Sequence, residues 1–122
     1  MNVVQPVLLT GNLNRLTRFY AELFGATETT RVPAEGPPFY LGLRIGTSAL
    51  GIVADDTGAG PDVPQRVLLS VEVDDVDAML PRVTAAGGKV TGGPNDMPWG
   101  QRVAHTTDCD GNVVNLTQLL TP

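Results

Sequence analysis

In 122 residues the chain has one cysteine, one histidine, one tryptophan and only eight basic residues, and it has no long apolar run. Each shortage excludes something. A single Cys109 forms no disulfide within the fold and supplies no thiolate cluster for a metal. Eight scattered Lys and Arg against thirteen Asp and Glu leave a net charge of −5. That balance argues against nucleic acid, whose phosphates need clustered cations. No stretch approaches the ~18 apolar residues that span a bilayer, and the N-terminus has no basic segment followed by an apolar run. The expectation is a cytoplasmic protein with no membrane partner. Also missing are a Ser-His-Asp spacing, a phosphate-cradling glycine loop and paired carboxylates.

What is present is an ordinary globular composition, 42% hydrophobic and 17% charged, long enough for one compact domain. The chain also repeats itself. An offset of 63 residues lays Asn12 on Asp75, Leu16 on Met79, Tyr20 on Val83 and Gly25 on Gly88. The first members are good helix N-caps, the apolar positions fall at helical spacing, and the glycines suit a left-handed stop. The same offset aligns "NVVQPVLL" (2–9) with "QRVLLSVEV" (65–73), both strand-like. Two hairpins, 39–53 and 103–117, align at an offset of 64, with Leu50 on Val114 and Ile52 on Leu116, the extra residue belonging in a loop. "ETTRV" (28–32) and "KVTGG" (89–93) add one strand to each half. Residues 57–65, rich in Gly, Pro and Asp, read as a linker between module 1 (about 1–56) and module 2 (66–122). Each module is therefore predicted as βαβββ, an α+β class. Pro81 falls inside the second helix, where a regular interior would lose about 3 kcal/mol, so a kink or a late helix start is expected.

The tandem βαβββ pattern resembles the vicinal oxygen chelate superfamily of glyoxalases, bleomycin-resistance proteins and ring-cleaving dioxygenases. Its most specific pieces are "NRLTRFYAELFG" (14–25), "VEVDDVDAML" (71–80) and "PWGQRVAHTTDCDGNVVNL" (98–116), with Cys109 where the family usually has proline. The resemblance implies a curved mixed sheet around a cavity, helices outside, and a homodimer. It also implies four metal-ligand positions, which here hold Gln5, Gly51, Leu68 and Asn115. Two of these have no side-chain donor and two are neutral amides, a poor set for a divalent ion. No metal and no other cofactor is expected.

Residues two apart on a strand share a face. Counting from those four positions turns Gln5, Ser70, Glu72 and Asn115 toward the cavity, among apolar neighbours such as Val7 and Val53. Parity on the neighbouring strands adds Tyr40, Arg44 and Arg102, and sets His105 on the opposite face from Arg102, as a packed or surface residue. Trp99 is either a packing anchor or a stacking platform. Arg102 either touches substrate or pairs with Asp108 or Asp110. Glu72 is either solvated or a general base, and Cys109, beside two aspartates, is a disfavoured thiolate.

Two function classes follow. One is a metal-free protein of the bleomycin-resistance type that sequesters an aromatic or cationic small molecule through Gln5, Tyr40, Ser70, Glu72, Trp99, Arg102 and Asn115. The other is a metal-independent enzyme of the same superfamily, acting on a small metabolite or natural-product intermediate by proton transfer from Glu72.

Overall fold

Residues 3–55 and 67–121 are described by a computed structural model. The linker 57–65 lies outside the described residues. The chain divides into two compact units, Met1–Ala59 and Gly60–Pro122.

The first unit runs β1 (Val7–Thr10), α1 (Leu13–Phe24), β2 (Thr27–Val32), β3 (Tyr40–Ile45) and β4 (Ser48–Ala54). The second runs β5 (Leu69–Glu72), α2 (Val76–Ala85), β6 (Lys89–Met97), β7 (Gln101–Thr107) and β8 (Val113–Leu119). Each unit is thus a βαβββ module with a four-stranded mixed sheet, ordered β1-β4-β3-β2 and β5-β8-β7-β6. The first strand of each module pairs parallel with the last, and the remaining pairs are antiparallel.

Local chemistry sets the helices. Asn12 Oδ1 accepts the backbone N–H of Arg15 at 3.0 Å, and Asp75 Oδ1 accepts that of Ala78 at 3.2 Å. Leu16, Phe19, Tyr20 and Leu23, spaced i, i+3, i+4, i+7, are buried on one face of α1. Each such side chain is worth roughly 1.5–3 kcal/mol when fully buried. The sheet answers with the buried pairs Leu41–Ile52 and Leu43–Leu50. In the second unit Val76, Met79 and Val83 of α2 are buried, as are the sheet pairs Ala104–Leu116 and Thr106–Val114. The Thr106 hydroxyl is satisfied there by donating to the Val114 carbonyl at 2.6 Å.

Two expectations about α2 change. Asp75 caps it directly, so there is no late start, and the helix continues through Pro81. Pro81 is exposed, so the Asp77 carbonyl that it leaves unbonded can turn to water. The helix also stops earlier than the repeat suggests. Gly25 ends α1 at φ +69°, but its counterpart Gly88 is not left-handed; Gly87 is, at φ +100°. The reason is a tightened last turn, in which Gly87 N–H bonds the Thr84 carbonyl at 3.1 Å.

The repeat needs one further correction. In the β3–β4 hairpin Ile45 pairs with Ser48 across a two-residue turn. In β7–β8, Asp108 N–H bonds the Asn112 carbonyl at 2.9 Å across three residues. The extra residue therefore lies inside this turn, so β7 keeps the 63 offset and only β8 moves to 64. Gly42, not Leu41, is the counterpart of His105, which reverses the expected facing of every β7 side chain.

Candidate functional site

Each sheet has one face under its helix and one face turned away. On the open face of the first unit, Gly51 in β4 sits opposite Gly42 in β3 and Val7 in β1. Tyr40 and Arg44 share that face by register, as expected. Gln5, just before β1, donates from Nε2 to Tyr40 Oη at 3.0 Å. Gly51 makes this possible, since a Cβ there would stand 2.9 Å from Tyr40 Oη and 3.0 Å from Gln5 Nε2. The amide and phenol thus lie across bare backbone, and the Tyr40 hydroxyl hydrogen and the Gln5 carbonyl oxygen can each make a further hydrogen bond.

On the open face of the second unit, Ser70 pairs with Asn115 and Glu72 with Thr117 across β5 and β8. Ser70 and Glu72 are exposed. Across β7 and β8, His105 is in register with Asn115, and its Nδ1 lies 2.9 Å from Asn115 Oδ1. His105 is therefore a residue of the open face, which corrects the facing expected from strand parity, and it is exposed, in line with the surface alternative of that expectation. Sequence parity missed it through the one-residue hairpin error. Comparing turn lengths, a two-residue Gly46–Thr47 turn with "DCDGN", is the signal that would have found it.

Arg102 moves the other way. It lies on the helix side and is held by two carboxylates, Asp77 of α2 at 3.1 Å and Asp96 of β6 at 2.8 Å. Neither Asp108 nor Asp110 is its partner in these ion pairs. The hydrogen bonds it donates, to Asp77 first and Asp96 second, raise its pKa above the usual arginine value. The guanidinium joins the start of α2 to the sheet edge, and the open-face set loses it. Asp108 instead serves the β7–β8 turn. Trp99 stands at the β6–β7 turn, 67% exposed, with Nε1–H donating to Gln101 Oε1 at 2.9 Å. It is an available aromatic surface, not a packing anchor. The structure thus brings Gln5 together with Tyr40, and Asn115 with Ser70 and Glu72, within their respective units.

The four positions that the resemblance assigns to a metal do not fit one. Gly51 and Leu68 bring no donor, and the two amides, Gln5 and Asn115, already face Tyr40 and His105. Among the described residues, no three His, Cys, Asp or Glu side chains cluster as ligands. No helix among them is long and apolar enough to cross a membrane.

Comparison with known proteins gives a consistent result. The profile of the glyoxalase/bleomycin resistance protein/dioxygenase superfamily matches residues 2–116. CFP32 of Mycobacterium tuberculosis, named as a candidate glyoxylase, is 30% identical over 112 residues, which are 91% of this chain and 43% of that protein. The chain therefore spans less than half the length of that curated relative. A family enzyme from Burkholderia phytofirmans PsJN superposes with a TM-score of 0.81 at 22% identity, covering 95% of this chain and 97% of that one. The fosfomycin resistance protein FosX of Listeria monocytogenes, in a complex with Mn(II), gives 0.75 at 18% identity, covering 94% and 87%. At such identities the two structures speak for the fold alone.

Proposed function

Because the chain belongs to the glyoxalase/bleomycin resistance protein/dioxygenase superfamily, we propose that it is a metal-independent member which binds an aromatic or cationic small molecule, as a homodimer. One observation carries the reading. The two amides at the family's metal positions are each engaged by a neighbouring polar side chain, and the other two positions are glycine and leucine. Such a surface suits an organic ligand, with apolar ground and a few oriented donors and acceptors. Each unit offers its own contacts: Tyr40 and Gln5 on the open face of the first, and Ser70 and Asn115 on that of the second, where Glu72 adds a negative charge for a cation and Trp99, in the same unit, an exposed stacking face.

The test is a thermal-shift screen of aromatic and cationic compounds, followed by calorimetry. Trp99→Ala should weaken a hit by about 1–3 kcal/mol, the loss of an aromatic anchor. Since Trp99 is mostly exposed, stability should move by less than about 0.5 kcal/mol. A hit indifferent to both Trp99→Ala and Asn115→Leu would mean that the ligand binds elsewhere. A second reading, a metal-independent enzyme, is favoured by the imidazole that Asn115 holds on the open face. It predicts turnover of a hit into a new product.

A further inference from the structure

We propose that His105 is the proton acceptor of the open face and that the ligand carries a weakly acidic hydroxyl, phenolic or enolic. This rests on the reading above, that a small aromatic molecule binds here, and it names which chemistry the site selects.

Asn115 Oδ1 is an acceptor only, so the 2.9 Å contact assigns the hydrogen to His105 Nδ1. In the neutral ring the lone pair then lies on Nε2, on the side away from Asn115. Among the described residues, Nε2 has no hydrogen-bond partner. Across the sheet from His105 on β6 is Gly92. A Cβ at that position would meet His105 Cδ2, the atom beside Nε2, at 3.4 Å. The missing side chain keeps the Nε2 edge uncovered from β6. β7 is an inner strand of its sheet, so the group is presented from the middle of the face rather than from a fraying edge. By register, Glu72 of β5 and Lys89 of β6 are the charged side chains sharing that face.

The step balances without any co-reactant. The ligand O–H bond breaks and an N–H bond forms at Nε2. The electron pair stays on the ligand oxygen as a phenolate or enolate. The imidazolium keeps Nδ1–H on Asn115 Oδ1, whose carbonyl dipole stabilises the new positive charge. On release the proton returns to oxygen. For an enol the same proton can return to carbon, which is how such a binding site could isomerise its ligand.

The test uses the full chain with 4-nitrophenol, whose anion absorbs in the visible, and 4-nitroanisole, its methyl ether without the acidic hydrogen. Amide chemical shifts report binding at a fixed pH about one unit below the phenol's own pKa, where only about a tenth of it is ionised in buffer, and absorbance reports ionisation. The expected result is a phenolate fraction at least twofold above that in buffer. It should be lost in His105→Gln and Asn115→Leu and kept in Asn115→Asp, which retains the acceptor. Nitrogen chemical shifts of the imidazole should show Nδ1–H in the unliganded wild type and a move toward Nε2–H in Asn115→Leu. Binding that shifts β5, β7 and β8 amides without raising the phenolate fraction, or raising it equally in His105→Gln, overturns the role of His105 while ligand binding stands. If neither compound moves an open-face amide at millimolar concentration, the aromatic-ligand reading fails and this inference with it.

Discussion

Asp108 is the side chain on which the β7–β8 turn depends. It is 3% exposed, and Oδ1 accepts the backbone N–H groups of Asp110 and Asn112, each at 2.9 Å. Oδ2 takes the Asn112 side-chain amide at 2.8 Å. Removing the carboxylate strands these donors, and hydrogen bonds to charged groups are worth about 1.5–3 kcal/mol. Asp108→Ala should therefore lower stability by about 2–3 kcal/mol, read from urea denaturation. Because this turn fixes the β7–β8 register, the variant should also disturb the His105–Asn115 contact, visible as a changed imidazole tautomer. An unchanged midpoint would mean that the turn is held by its backbone alone.

At the scale of elements, α2 is the weaker of the two helices. It has ten residues against twelve in α1, buries three side chains against four, and carries Pro81. Proline there removes the bond to the Asp77 carbonyl and costs up to about 3 kcal/mol, offset by the ~0.4–1 kcal/mol it gains through the unfolded state. Pro81→Ala should accordingly stabilise the protein by about 1–2 kcal/mol in the same denaturation measurement. A neutral or destabilising effect would show that the helix has relaxed around the proline. Arg102 compensates locally by joining Asp77 in the first turn of α2 to Asp96. Arg102→Leu should lower the melting temperature without touching ligand affinity, since the residue is on the helix side. A loss of affinity with unchanged stability would reverse that placement.

For the molecule as a whole, the relevant contrast is with metal-dependent relatives. Elemental analysis of the purified chain should find well below one equivalent of zinc, iron, nickel or manganese. Added Mn(II) should leave the melting curve in place, whereas an ion at a hundred times its dissociation constant would add about 2.7 kcal/mol. One equivalent of metal, lost on changing Gln5 or Asn115, would overturn the metal-independent reading. Light scattering should report twice the 12.8 kDa chain mass at micromolar concentration. The chain mass alone would refute the homodimer.

The sequence by itself determined the tandem βαβββ modules, the Asn12 and Asp75 caps, the buried faces of the helices and the residue types, two amides, a glycine and a leucine, at the four positions that the resemblance assigns to a metal. All of these are local or compositional, written in residue type and spacing over a few turns. Only the tertiary structure decided which face His105 and Arg102 occupy and which carboxylates Arg102 meets. Strand parity has a period of two, so one extra residue, assigned to the wrong side of a turn, inverts a whole strand. The Asp77–Arg102–Asp96 group joins residues that are 25 and 6 apart in sequence, and no periodicity encodes that pairing. The contact between His105 and Asn115 exists because β7 and β8 register as they do, and that register is set by the three residues between Asp108 and Asn112.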